Sequence, residues 1–483
     1  MMSNLAKESA MARINALVDE NSFVEIGGLV TARSTDFNMQ GKTSPSDGVI
    51  TGYGVIDNSL VYVYSQDASI LGGTVGEMHA KKISKIYDLA IKMGAPVVAL
   101  VDCAGLRLEE ASDALNAFGE IYAKQAMASG VVPQITAVFG TCGGGMGISA
   151  SLSDFTFMAE DGKLFVNAPN TLDGNRTEKC DAASAEYQAK ISGITDFTGT
   201  EEEVLAGVRQ LVSLLPLNND DFAESGCTDD LNRVCGELAD CVGDTSIAFS
   251  QIADSGMFLE LKKEYAKEMV TGFMKLNGIT VGAVANRTTC YGSDGSITDE
   301  FPNVLTAAGC EKAAEFVTFC DAFHIPVLTL TNVSGFAATL EEEKRIAKAA
   351  AKLTYAYANA TVPKVNVVIA DAMGNAYNVM NSRACGADVV YAWPAAKIGT
   401  MDADGAVRII YAEEIKEAED AAAFLAEKKA EYEALQMNAV SAARRGYVDS
   451  IIEPADTRKY IIGAFEMLYT KKEERPVKKH GTV

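Results

Sequence analysis

The chain repeats itself over a long period. Val132-Pro133-Gln134-Ile135 returns as Val362-Pro363-Lys364-Val365, and Gly144 returns as Gly374, each 230 residues later. In the same register, Ala95-Pro96-Val97 is echoed by Ile325-Pro326-Val327, and Asp102-Cys103-Ala104-Gly105 by Asn332-Val333-Ser334-Gly335. Further upstream, Val49-Ile50-Thr51-Gly52 matches Met269-Val270-Thr271-Gly272. Periods of roughly 20–50 residues build solenoids, whereas a period this long means two domains of one fold. A chain of 483 residues has room for both, each with its own core. Pro216 to Asp230 turns polar and acidic, with Pro and Gly, and reads as the linker. The expectation is an N-terminal domain over 1–230 and a C-terminal domain over 231–483.

Within each copy the order of elements is strand, strand, helix. Val49 to Val55 and Ser59 to Ser65 read as strands joined by a turn at Asp57-Asn58. A helix follows from about Glu77 to Met93, presenting Lys81, Lys82 and Lys85, then a buried strand from Val97 to Val101 and a helix from about Glu109 to Ser129. Phe258-Leu259-Glu260-Leu261 opens the second copy as Phe23-Val24-Glu25-Ile26 opens the first. Only the charged helical stretch from Ala412 to Gln436 has no counterpart, and its spaced opposite charges suit a solvated helix or an oligomer contact.

The chemistry concentrates in Val131 to Ala150, where an uncharged β-branched run breaks into Gly143-Gly144-Gly145 and small helix-opening residues follow. Glycines let a ligand approach the backbone, and the first N–H groups of a helix lack intrahelical partners. Two such donors aimed at one point make an oxyanion hole. Catalytic side chains are scarce by comparison. The three histidines, His79, His324 and His480, form no constellation, and Arg107 with Glu110 fits a structural ion pair as well as a ligand role. Glu109 and Glu110 are the only carboxylates near the glycine motif that a hydratase or isomerase could use.

Charge and cysteine usage exclude several classes. Acidic residues outnumber basic ones 65 to 42, a net charge of −23, which argues against nucleic acid and anionic membranes as partners. No apolar run reaches the roughly 18 residues of a membrane helix. Met1 to Val18 carries Lys7, Glu8 and Arg13 in a helical pattern, so no signal peptide is expected. None of the 10 cysteines forms a C-x-x-C pair, so no metal site is expected. Buried thiols in a reducing cytoplasm fit the pattern.

Seven runs carry a resemblance: SDGVITGYG (46–54), VYSQDASILGGTVGEMHAKKI (63–83), GAPVVALVDCAGLRLEE (94–110), SGVVPQITAVFGTCGGG (129–145), KAAEFVTFCDAFHIPVL (312–328), ATVPKVNVVIADAMGNAYNVM (360–380) and VVYAWPAAKIGTM (389–401). From about Ala12 to Leu468 the chain resembles the carboxyltransferase subunits of biotin-dependent acyl-CoA carboxylases and sodium-pumping acyl-CoA decarboxylases. That resemblance implies an α/β fold of two tandem crotonase-like ββα-spiral domains. It also implies transfer of CO2 between a short acyl-CoA of malonyl or methylmalonyl type and biotin on a separate carrier protein. The reaction passes through a thioester enolate, whose oxygen needs preorganised donors.

Carried over residue by residue, the resemblance gives Gly144 and Gly145 as the thioester-oxygen donors, and Asn375 and Ala376 as donors to the ureido oxygen of biotin. Gly72, Gly73, Gly105 and Gly143 flank the acyl-CoA side, and Gly335 and Gly374 the biotin side. The family's D-S-G-G-A-R run is here Asp102-Cys103-Ala104-Gly105-Leu106-Arg107, and its second Gly-Gly segment is replaced near Glu341-Glu342-Glu343. Those carboxylates would repel an anionic ligand if they faced it. Ala90-Ile91-Lys92-Met93 resembles a biotin-attachment segment, but it ends a helix instead of forming an exposed hairpin tip. The resemblance further implies a homo-hexamer, with membrane decarboxylase subunits or a biotin carboxylase as partners. Its place is the cytoplasm, free or peripheral to a membrane complex, and decarboxylation is the favoured direction. The alternatives are the beta subunit of an acetyl- or propionyl-CoA carboxylase, and a non-catalytic or biotin-independent CoA-binding paralogue.

Overall fold

Alternation of apolar residues and two left-handed turn positions set the first hairpin. In the computed structural model, which describes residues 9–34, 44–173, 180–292, 294–476 and 480–481, β2 (Val49–Ile56) and β3 (Ser59–Gln66) pair antiparallel from Val49↔Gln66 to Ile56↔Ser59. Asp57 and Asn58 have φ of 47° and 68°, the combination a two-residue hairpin needs to match strand twist. The second copy makes the same turn with Asn277 and Gly278, at 52° and 76°.

The chain divides into two compact units, Met1–Ala223 and Glu224–Val483, and the expected linker straddles that division. In the first unit, β1 (Val24–Glu25) edges the hairpin on the β2 side. β4 (Val97–Cys103), β5 (Gln134–Gly143), β6 (Phe155–Ala159) and β8 (Phe197–Gly199) extend it in parallel, with β7 (Lys163–Phe165) alongside the end of β5. Parallel strands need crossovers, supplied by α2 (Glu77–Met93) between β3 and β4 and by α3 (Ala111–Ala128) between β4 and β5. The α2 face bearing Ile83, Ile86, Tyr87 and Ala90 is buried against Tyr64, Val97 and Ala99 of the sheet. Gly94, at φ 63°, ends that helix.

The second unit repeats the plan. Met269–Leu276 and Ile279–Asn286 form the hairpin, followed in parallel by Val327–Val333, Lys364–Met373, Val389–Ala392 and Ser450–Ile451. Helices Ala307–Ala322 and Ile346–Asn359 make the crossovers. These are two tandem crotonase-like ββα domains.

The repeat extends to details that composition does not reveal. Register shifts between Val101 and Cys103 in the first sheet, and between Thr331 and Val333 in the second. At each shift a side-chain oxygen accepts a backbone N–H: Asp102 Oδ1 from Thr141 at 3.0 Å, Asn332 Oδ1 from Asp371 at 3.2 Å. Buried lysines recur as well. Lys82 donates to the carbonyls of Ser46, at 2.9 Å, and Val49. Lys312 donates to those of Lys262, Tyr265 and Met269 at 2.8, 2.9 and 2.6 Å. Burial pushes their pKa values down to about 8 and about 7.

Candidate active site

In the first unit the expected glycines gather where β3, β4 and β5 end. Gly72 and Gly73 sit in a turn with φ of 68° and 63°, and a Cβ on Gly73 would stand 2.2 Å from the Asp102 carbonyl oxygen. Their loop is laced to the one after β4: Ala104 N–H donates to Gly72 at 3.1 Å, Val75 N–H to Gly105 at 2.9 Å, and Arg107 N–H to Val75 at 3.0 Å. Gly105, at φ 116°, lies against Gly143, where a Cβ would be 3.3 Å from the Gly143 oxygen.

After Gly143 the chain turns through Gly144 (φ 60°, ψ −121°) into α4 (Gly145–Ser151). Here the amides of the turn differ in what they bond. Gly144 N–H is committed to the Phe165 carbonyl at 2.9 Å, and Gly147 N–H to Gly144 at 3.1 Å. The amides between them, Gly145 and Met146, have no acceptor among the described residues. They occupy the first two helical positions, where no intrahelical carbonyl is in reach. Gly144 N–H is thus spent on the turn, while the Gly145 and Met146 amides are left without a partner among the described residues.

Behind these loops the charged side chains are structural. Arg107, 1% exposed, donates through Nη1 to Asp47 Oδ1 at 2.6 Å and Glu110 Oε1 at 2.8 Å, and through Nη2 to the Thr74 carbonyl at 2.6 Å. Glu110 also accepts the Glu77 N–H at 2.6 Å, capping α2. This occupies one of the two carboxylates that a hydratase reading needed. Burial raises the Asp47 pKa, and the adjacent Arg107 guanidinium opposes the rise. The three lysines expected along α2 part ways: Lys82 is buried, Lys81 pairs with Glu77 at 2.6 Å, and Lys85 is exposed.

In the second unit the expected residues line a cleft of about 640 Å³. Gly335 is on one wall, with Gly374, Asn375 and Ala376 on another. Gly374 has φ 58°, and a Cβ there would come 3.0 Å from the Thr400 carbonyl oxygen. Asn375 is exposed and its Oδ1 accepts from Asn378 Nδ2 at 3.2 Å, while Ala376 is buried. The acidic run beside this site turns away from it. Glu342 accepts the Ala307 N–H at 2.6 Å, capping a crossover helix, Glu341 pairs with Lys344 at 2.6 Å, and none of Glu341 to Glu343 lines the cleft.

The sequence missed the cleft's cations, Lys397 and Lys429, and its acids, Asp371, Asp402, Asp404 and Glu433. Lys429 and Glu433 come from the charged stretch that reads as solvated helix, and its alternating charges gave no sign of a cleft wall. The cleft's lining also includes Thr400, the thioether residues Met373, Met401 and Met437, and the ring of Phe336. Among the described residues, no group of three or more His, Cys, Asp and Glu is placed to hold a metal ion, and no helix is long and apolar enough to cross a membrane.

Comparison with known proteins joins these two sites to a family. Residues 4–483 match the carboxyl transferase domain family. Methylmalonyl-CoA decarboxylase subunit alpha of Propionigenium modestum is 41% identical over 99% of this chain and 93% of its own length. The propionyl-CoA carboxylase beta chain of Roseobacter denitrificans is also 41% identical, over 99% and 94%. Among solved structures, transcarboxylase 12S, a hexamer with methylmalonyl-coenzyme A and methylmalonic acid bound, superposes with a TM-score of 0.91 at 37% identity, covering 98% of this chain and 92% of that one. With two ββα units, a glycine turn that frees two amides, and this breadth of likeness, the chain belongs to the carboxyl transferase domain family and is an acyl-CoA carboxyltransferase.

Proposed function

We propose that this chain moves a carboxyl group between a short acyl-CoA of malonyl or methylmalonyl type and biotin on a separate carrier protein. The acyl-CoA lies on the first unit and biotin on the second. The observation that carries this reading is the pair of acceptor-free amides at Gly145 and Met146. Breaking or forming the bond between a carboxyl group and the carbon alpha to a thioester leaves negative charge on the thioester oxygen. Two fixed N–H donors stabilise that charge without reorganising, and losing one such donor typically costs about 10²–10³ in rate. Gly72, Gly73, Gly105 and Gly143 keep the surrounding backbone close and free of side chains.

On the second unit, Asn375 and Ala376 supply the backbone donors for the ureido oxygen, and Asn serves because the donor is its amide. Gly335 and Gly374 leave room for the ring. Biotin, when bound, supplies the ureido nitrogen that takes up and gives back the carboxyl group. No side-chain base is then required of this chain, which fits the buried, paired state of Arg107, Glu110 and Asp47.

We read the net direction as decarboxylation, the activity named for the Propionigenium relative. The carboxylase beta chain is equally similar, so the working alternative is the reverse reaction with a biotin carboxylase as partner in place of membrane decarboxylase subunits. Assembly as a cytoplasmic hexamer follows the state named for transcarboxylase 12S. The test is incubation of the purified protein with malonyl-CoA or methylmalonyl-CoA, with and without a biotinylated carrier. Loss of the substrate carboxyl group should depend on the carrier. Loss at the same rate without biotin, or no loss with it, would overturn the reading.

A further inference from the structure

A buried polar chain ends on the glycine turn of the first unit, and the reaction as derived above does not use it. Gln66, the last residue of β3, is wholly buried. Its Nε2 lies 3.1 Å from Nε2 of His79 and 3.8 Å from Sδ of Met146. On the other side of the imidazole, Nδ1 is 2.9 Å from the Asp47 carbonyl oxygen. A carbonyl only accepts, so Nδ1 carries the hydrogen and Nε2 holds a lone pair. Gln66 must then donate to His79, and its second amide hydrogen is left for the Met146 sulfur. Each donor has one acceptor, and the order of the chain is fixed.

Asp47 is equally fixed. Its Oδ2 accepts the His79 backbone N–H at 2.7 Å and its Oδ1 the Arg107 guanidinium at 2.6 Å. It sits at φ 50°, next to Ser46 at 54°, in a left-handed pair that non-glycine residues rarely adopt. Strain of this sort persists only where the surroundings over-determine it.

The molecule contains its own control. Matching the hairpins, Gln66 corresponds to Asn286, whose side chain bonds the Asn332 backbone. Matching the helices and turns 230 residues on, His79 corresponds to Gly309 and Met146 to Ala376. The second unit therefore builds the same hairpin, helix and turn with none of the three residues. Folding this architecture does not require the chain of hydrogen bonds.

We infer that His79 and Gln66 are positioning residues for carboxyl transfer: held by the Asp47 carbonyl, they anchor Met146 and so fix the direction of its backbone N–H. The inference rests on the reading of Gly145 and Met146 as donors to the thioester oxygen. The donor that develops its full strength only against the enolate is the one whose aim matters. Misaim should appear in kcat and not in substrate affinity.

Three variants test it. His79→Asn keeps a donor near Nδ1 and loses the acceptor for Gln66, whereas His79→Gln keeps a polar atom near Nε2. Gln66→Met removes both of its donors while conserving volume. Each is assayed at least 10 °C or so below its own melting midpoint, with a non-reactive acyl-CoA analogue titrated in parallel. His79→Asn and Gln66→Met should lower kcat about tenfold or more, with KM and analogue affinity within about twofold, and His79→Gln should recover most of the loss. If His79→Asn does not fold, Gln66→Met decides. Wild-type kcat in Gln66→Met, or equal losses in all three that follow their melting midpoints, would overturn the inference. An inactive wild type with the biotinylated carrier would instead overturn the proposed function.

Discussion

At Gly145 the requirement for glycine is steric as well as chemical. A Cβ there would stand 2.7 Å from the Tyr122 hydroxyl oxygen and 2.8 Å from the Phe118 ring. From sequence, a bulky replacement at Gly145 is expected to stop turnover and spare the fold. The packing says otherwise: even Gly145→Ala should cost about 1–3 kcal/mol by overpacking, so the melting midpoint falls together with kcat. A melt that matches wild type would contradict this. His79 offers a second measurement. Burial, reinforced by the Arg107 charge, pushes its pKa down to about 3 from 6.5. Between those values the unfolded chain binds a proton that the folded ring refuses. The associated stability is present above pH 6.5 and is lost toward pH 3, at up to about 1.4 kcal/mol per pH unit from this one group. Denaturant titrations at pH 7 and pH 5 should show a shallower loss in His79→Gln than in wild type. Sequence shows a glycine turn, but not which of its amides the Phe165 carbonyl claims.

Individual elements were legible to the extent that burial patterned them. The hairpin, α2 and the buried strand β4 fall where alternation, helical spacing and the Gly94 stop put them. The charged helical stretch expected from Ala412 to Gln436 is two helices, Ala412–Glu417 and Ala421–Gln436. Asp420 makes the break, its Oδ1 accepting the N–H groups of Ala422 and Ala423 at 3.1 and 3.0 Å. No residue of the longer helix is buried, so no apolar stripe marks its inner side. Its end packs through Tyr432 on a small cluster of Met373, Ala403 and Met437, and that contact carries Lys429 and Glu433 to the cleft. Asp420→Ala should cost this helix about 1 kcal/mol. Faster hydrogen exchange at residues 421 to 424, with the sheet amides unchanged, is the expected signature.

For the whole molecule, the repeat was the most informative signal, because a 230-residue register constrains a fold more than any local propensity. The register alone places both glycine-bearing turns, at Gly144 and Gly374. It also showed the Asp102-to-Asn332 difference between the copies, but not that Asp102 is buried against Arg13 or that only the first copy has the polar chain reaching its turn. The same contrast bears on the carrier. Substitution near Glu341 to Glu343 suggests from sequence a repelled ligand and weak binding of free biotin, yet those carboxylates face elsewhere. The cleft is still lined by four carboxylates, Asp371, Asp402, Asp404 and Glu433, against the two lysines Lys397 and Lys429, so transfer to free biotin should remain slower than transfer to a biotinylated carrier. Equal rates at matched concentrations would show that the cleft alone supplies the affinity.

Two of the interior lysines, Lys82 and Lys312, have a consequence for self-damage. An amine whose basicity is lowered to about 8 or about 7 keeps an available lone pair near neutral pH, and such an amine attacks activated thioesters. Such amines would be open to acylation in a protein whose substrate is an acylating agent. Each is folded inward onto backbone carbonyls, with 5% and 3% of its surface exposed. The fold thus keeps these two nitrogens where its own reagent cannot reach them.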